Sequence, residues 1–184
     1  MTRMIASGRV FLRSLEAADA ETYRRWRADD DPMAPAGWRQ PGPLSLVQVE
    51  RRIAGLAEDQ GKGMYAFLIC LVEDERPIGE VMLMDIDRVN GSAELGIFIG
   101  EATECGKGYG SDAVRALVDF GFAELRLERI WLEVSAENSR ARQSYEKVGF
   151  VHEATRRHDL WTDGRFVDGD VMSILLDEWQ SRSH

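Results

Sequence analysis

Gly100, Gly106, Gly108 and Gly110 fall within eleven residues, and Cys105-Gly106-Lys107-Gly108-Tyr109-Gly110-Ser111 is the densest part. The stretch follows a strand-like pattern and opens a helical one. In the helix, Val114, Leu117, Val118, Gly121 and Phe122 recur at i, i+3, i+4, i+7 and i+8, which is one face. Glycines at such a junction let the backbone turn tightly and approach a ligand with no Cβ in the way. Free amides at the helix N-terminus point outward, and the helix dipole adds partial positive charge. Lys107 adds a full one. The segment therefore either binds an anion such as a pyrophosphate or makes a tight connection only.

Two familiar phosphate loops fit poorly. A Walker A loop needs Ser or Thr directly after Gly-Lys, but Gly108 follows Lys107. A dinucleotide fingerprint, GxGxxA, matches at Gly108 to Ala113. Its first glycine belongs in the turn just after a strand. Here it comes nine residues after Ile99, behind apparent antiparallel hairpins.

Upstream, Arg9 to Leu15 predicts a strand and Ala17 to Ala28 a helix. Asp29 to Pro43, with four prolines, predicts a long loop within one domain, because a linker there would strand a fragment too small to fold. Ser45 to Gln48 fits a capping box, followed by Val49, Ile53 and Leu56 at helical spacing. Tyr65 to Val72, Ile78 to Asp87 and Ser92 to Ile99 predict an antiparallel meander, with Asn90-Gly91 as a hairpin turn. Arg129 to Val134 predicts a strand, and Asn138 to Val148 a short helix ended by Gly149. Phe150 to Leu160 and Phe166 to Leu176 predict a last strand pair. The fold class is α/β (α+β), one domain over residues 1–184, with a mixed, largely antiparallel sheet of about seven strands and about four helices.

Composition excludes several functions. The 184 residues carry 32 acidic and 23 basic side chains, a formal charge of -9, against a nucleic-acid binder. Two cysteines without a CxxC and three scattered histidines argue against a disulfide framework and a metal site. No apolar run is long enough to span a bilayer, and no signal segment opens the sequence, so a cytoplasmic protein is expected.

The glycine loop resembles the pyrophosphate signature of the GNAT superfamily of acetyl-CoA-dependent N-acetyltransferases. Gly108 and Gly110 match, while Cys105 stands where that signature has Gln or Arg. Thirty positions after Gly108, the segment Asn138 to Phe150 is similar to the family's Asn-x-x-Ala-x-x-x-Tyr-Glu-Lys-x-Gly-Phe. Ala93 to Ile97 and Asp163 to Asp168 resemble the Rim-type branch, the ribosomal-protein alanine acetyltransferases.

The resemblance implies an acetyl-CoA site built from Ile97, Phe98 and Ile99, the loop Cys105, Gly106, Lys107, Gly108, Tyr109, Gly110 and Ser111, and Asn138, Ala141 and Tyr145. It implies Tyr145 as general acid to the departing thiolate; the residues alone favour a helix tyrosine packed between sheet and helix. Glu94 suits a base for the amine or a solvent-facing carboxylate, with Glu80 or bulk solvent as alternatives. The acids Asp29, Asp30 and Asp31, with Trp38 and Trp161, are candidate acceptor lining or ordinary loop and core residues. The implied acceptor is a primary amine of a small molecule or a peptide N-terminus. A non-catalytic acyl-CoA-binding module is the reading from another class. No nucleic acid, membrane or metal is expected, and the resemblance allows a homodimer.

Overall fold

The computed structural model of the protein describes residues 5–27, 44–162 and 164–182. Eight strands form one sheet: β1 (Ile5–Ser7), β2 (Val10–Arg13), β3 (Tyr65–Leu71), β4 (Pro77–Asp87), β5 (Ser92–Ile99), β6 (Arg129–Ser135), β7 (Val151–Thr162) and β8 (Arg165–Leu175). Their spatial order is β1-β2-β3-β4-β5-β6-β8-β7. Five helices flank the sheet: α1 (Ala20–Trp26), α2 (Leu46–Asp59), α3 (Tyr109–Ala123), α4 (Ser139–Val148) and α5 (Leu176–Arg182). The α/β class and the mixed, mostly antiparallel sheet agree with the sequence. The added elements, β1 and α5, are only three and seven residues long, too short for a periodic signal.

Local chemistry fixes several ends as expected. Ser45 Oγ accepts from the Gln48 amide at 3.3 Å, and Gln48 Oε1 accepts from the Ser45 amide at 2.9 Å, so the capping box is complete. Asn138 Oδ1 accepts from the Ala141 amide at 3.0 Å and caps α4. Gly149 ends α4 with φ 128°. The strand expected from Arg9 to Leu15 is shorter, Val10–Arg13. The helix expected from Ala17 begins as a 3-10 turn, Ala17–Asp19, before α1.

Two apolar layers sandwich the sheet. On one face, Tyr23 and Trp26 of α1 and Val49, Ile53 and Leu56 of α2 pack on Leu68, Met82 and Phe98. On the other, Val114, Leu117, Val118 and Phe122 of α3 pack on Val81, Leu83, Leu95, Ile130 and Leu132. Alternation along β5 therefore sends Glu94, Gly96 and Phe98 toward α1 and α2, and Leu95, Ile97 and Ile99 toward α3.

One joint in the sheet is different. β5 and β6 are its parallel pair, and their register covers only Ser92–Glu94 against Arg129–Trp131. β5 continues beside β4 up to Ile99 opposite Gly79. β6 continues beside β8 up to Ser135 opposite Gly169. Each strand follows its antiparallel neighbour, so a wedge opens between them. Gly79 lets β4 and β5 stay close there: a Cβ on it would lie 2.3 Å from the Phe98 carbonyl oxygen. A bulge between Met84 and Asp87, with Asp85 at φ 48°, adds local twist to β4.

Candidate active site

Two clefts occupy the wedge. The first, of about 480 Å³, lies on the α3 side, between the start of α3, the start of α4 and the exposed end of β5. Eleven of the expected cosubstrate residues line it: Ile97, Phe98, Ile99, Cys105, Gly106, Gly108, Gly110, Ser111, Asn138, Ala141 and Tyr145. The second, of about 370 Å³, lies toward α1 and α2 and is lined by Arg27, Arg52, Met82, Met84, Glu94, Gly96, Glu133 and Leu160, among others. Ile97 and Tyr145 line both clefts, so the two spaces meet across these side chains.

The loop is built for an anion. Gly108 takes φ 91° as the N-cap of α3. The Asp112 amide bonds the Gly108 carbonyl at 3.1 Å. The amides of Tyr109, Gly110 and Ser111 precede that first helical bond and have no acceptor within the helix. A Cβ on Gly110 would meet only Ile97 Cδ1 at 3.9 Å and Ile99 Cγ1 at 4.0 Å, ordinary contact. Protein packing therefore does not demand glycine there, whereas a ligand lying against the backbone would. The free amides and the small Gly106, Gly108 and Gly110 lining suit a pyrophosphate.

The positive charge differs from expectation. Lys107 does not line the cleft; its Nζ pairs with Glu104 Oε2 at 2.8 Å. Tyr109 is also outside the lining: its ring packs on the core, with the Arg9 guanidinium 4.6 Å from its centre. Arg142 turns to Asp170 and Glu146. The cations that do line the cleft are Arg9, Arg115, Arg140 and Lys147. Arg140 and Lys147 make no ion pair among the described residues. Arg140 is a cation the sequence already offered beside Lys107 and Arg142. Lys147 is the addition, and the spacing of 140, 143, 144 and 147 along α4 is a helical face, a signal that could have shown it. Arg9 carried none, being 98 positions from the Lys107 carbonyl that it holds at 3.0 Å.

Tyr145 sits two turns into α4, its ring 6.0 Å from that of Phe150. Its hydroxyl has no hydrogen-bond partner among the described residues, and burial pushes it up to about 12. It therefore stays protonated at neutral pH. Glu94 lines the second cleft at the closed end of the wedge. Burial pushes its carboxyl above the ordinary range, Asp85 adds to this, and Arg156 opposes it. Glu80, the weaker base candidate, is fully buried and bonded to Tyr23 and Arg27, and does not line either cleft. Asp29, Asp30, Asp31 and Trp38 lie outside the described residues. Trp161 is exposed, 4.8 Å from the Phe166 ring, and lines neither cleft. No group of three or more His, Cys, Asp or Glu among the described residues is placed to hold a metal. No described helix is long and apolar enough to cross a membrane.

A sheet parted at one parallel joint, with an anion-binding helix start over the gap, defines an acyl-CoA-dependent transferase. The chain belongs to the GNAT acetyltransferases: the acetyltransferase (GNAT) domain family matches residues 9–151. It is an acetyl-CoA-dependent N-acetyltransferase. An uncharacterized N-acetyltransferase, p20, of Bacillus licheniformis is 30% identical over 93% of this chain and 95% of its own length. A spermidine N(1)-acetyltransferase of Vibrio cholerae is 35% identical over 61% of this chain and 66% of its own. The crystal structure of a spermidine N-acetyltransferase from Vibrio cholerae in complex with CoA and spermine superposes with a TM-score of 0.83 at 27% identity, covering 94% of this chain and 98% of that one.

Proposed function

We propose that the protein transfers the acetyl group of acetyl-CoA to the primary amine of a small molecule, by direct attack with both substrates bound. The meeting of the two clefts at Ile97 and Tyr145 carries this reading, because it lets an amine on one side reach a thioester on the other. Acetyl-CoA supplies the activated acyl group. The α3 amides with Arg140 and Lys147 hold its phosphates, and the unpaired edge of β5 past Glu94 receives the pantetheine arm like an added strand. A backbone amide near Phe98 polarises the thioester carbonyl. Asn138, by capping α4, fixes the helix that carries Tyr145.

Glu94 accepts a proton from the ammonium, directly or through water. The free amine attacks the carbonyl carbon, the new C–N bond forms, the C–S bond breaks, and the nitrogen releases its surplus proton to solvent. Tyr145 gives its proton to the leaving thiolate and is reprotonated from solvent. The single sheet running through the described residues supports reading 1–184 as one domain.

The likeness of Ala93 to Ile97 and Asp163 to Asp168 to the Rim-type branch favours a peptide N-terminus as the second reading of the acceptor. One experiment separates the two: incubate protein and acetyl-CoA with a panel of small amines and N-terminal peptides, and measure free thiol. Release with peptides alone rejects the small-molecule reading. Assembly as a homodimer rests on the family resemblance and is read from sedimentation of the purified protein.

A further inference from the structure

Asp170 stands beneath α4 on the cosubstrate side of the sheet. It lies on β8, opposite Val134 of β6 and Thr155 of β7. Val134, Met172 and Ile174 belong to the apolar layer under α3, so the alternation of β8 turns Asp170 to the same face. Its side chain is 3% exposed. A carboxylate so buried needs donors, and three side chains supply them. Thr155 Oγ1 donates to Oδ1 at 2.6 Å, and His152 Nε2 lies 3.2 Å from the same oxygen. Arg142 Nη1 donates to Oδ2 at 3.1 Å. Burial opposes ionisation, but the bonds from Thr155, His152 and Arg142 together hold the carboxyl below the ordinary range. Asp170 is therefore an anion at neutral pH.

Two of those donors come from β7 and one from α4. Ala141, Tyr145 and Val148 make the apolar contact of α4 with the core. The Asn138 cap and the Arg142–Glu146 pair act within α4. Among the described residues, Arg142 to Asp170 is the one hydrogen bond from a side chain of α4 to the sheet. Apolar contact holds the helix down without direction, whereas a charged hydrogen bond to a fixed carboxylate sets where it lies along its axis. Arg142 is one turn before Tyr145 and faces the same side of the sheet. The Tyr145 hydroxyl has no protein partner among the described residues to aim it, so its place in the gap is inherited from α4. A misplacement of about 1 Å at the reacting atoms costs up to about a hundredfold in rate.

We propose that Asp170 is a positioning residue for proton delivery to the leaving thiolate: through Arg142 it fixes α4 over the gap, and with α4 the reach of Tyr145. The inference rests on the acid role proposed for Tyr145. Neither Asp170 nor Arg142 lines either cleft, so the pair acts on rate through Tyr145 and not on substrate binding.

The test is a double-mutant cycle. Thiol release is measured at saturating acetyl-CoA with spermidine, phenethylamine and alanylglycine as probes, and kcat is taken with the one the parent protein uses fastest. Asp170→Asn keeps the size of the side chain and removes its charge; kcat is expected to fall about tenfold. KM for acetyl-CoA and for the amine should stay within about twofold. In the Tyr145→Phe background the same substitution should change kcat by less than about twofold, because the group it positions is gone. Arg142→Gln alters the partly exposed end of the pair and should reproduce both results, including where Asp170→Asn fails to fold; melting temperatures report folding. An unchanged kcat in folded Asp170→Asn or in Arg142→Gln overturns the inference. So does a loss that is equally large in the Tyr145→Phe background, which leaves acetyl transfer and the role of Tyr145 intact. Full turnover in Tyr145→Phe removes the acid role and the inference with it. If acetyl-CoA binds but no probe releases thiol, the acetyl-transfer reading itself fails, and the inference falls with that reading.

Discussion

Glu94 lies opposite Trp131 in the last rung of the β5–β6 pairing. One residue thus marks where the sheet stops being continuous and where the acceptor cleft begins. Beyond it, β5 keeps its bond partners on β4 and β6 keeps those on β8. The gap is enclosed by Tyr145 from α4, which lines the space on both sides. The carboxylate and the phenol assigned to opposite proton transfers are held by different elements, one on a central strand and one on a helix over the gap.

Tyr145→Phe removes a hydroxyl that has no protein partner among the described residues. Thiol release is expected to slow by about a hundredfold or more, the scale of a lost general acid. The melting temperature should move by no more than about 2 °C, since no internal hydrogen bond is broken. Full turnover in this variant would remove Tyr145 from the chemistry.

The pH profile follows from the two raised groups. As the proposed base, Glu94 works as the carboxylate, so kcat/KM is expected to fall as pH drops through its pKa. Burial raises that pKa, which places the loss above the ordinary glutamate value of about 4.3. Glu94→Gln should lower the plateau and abolish this acid limb. Tyr145, pushed up to about 12, keeps its proton and imposes no alkaline loss below about pH 11. Rate–pH curves of the parent and Glu94→Gln decide; an identical acid limb in both would assign the base elsewhere.

Arg9 braces the loop from outside. Its Nε and Nη2 donate to Asp112 Oδ2 at 3.2 and 3.1 Å, and Nη2 donates to the Lys107 carbonyl at 3.0 Å. The Arg9 side chain is 56% exposed, so Arg9→Ala should cost less than about 1 kcal/mol of stability. Acetyl-CoA binding, measured calorimetrically, should weaken about three- to tenfold. Unchanged affinity would show that the loop keeps its shape without the brace.

Gly108 and Gly110 should separate folding from binding. Gly108 has φ 91°, so Gly108→Ala should lose about 1–2 kcal/mol of stability as well as acetyl-CoA affinity. Gly110 lies in α3 without a positive φ, and an added Cβ meets ordinary contacts. Gly110→Ala should hold or raise stability by up to about 1 kcal/mol while weakening acetyl-CoA binding. Urea unfolding and calorimetric titration on the same samples measure both. Gly110→Ala with undiminished affinity would contradict the cradle.

Much of the candidate site was legible because it is local. The capping box at Ser45, the helix start after Gly108, the Asn138 cap and the Gly149 stop each depend on residues within about four positions. Lys107 misled for the same reason: its charge is local, but Glu104 answers it once the loop folds. Arg9 and Arg52 gave no signal because the groups they bond are dozens of positions away. Tyr23 and Arg52 are 29 apart, and Tyr23 and Glu80 are 57 apart.

The sequence by itself determined most of the elements, their order and the glycine-rich helix start, because backbone periodicity and capping are short-range. Only the tertiary structure decided that β8 enters between β6 and β7, and that β6 follows it away from β5. Strand pairing across tens of residues leaves no local pattern, since it is chosen by which apolar faces bury together. The wedge, and with it the meeting of the two clefts, is a product of that choice.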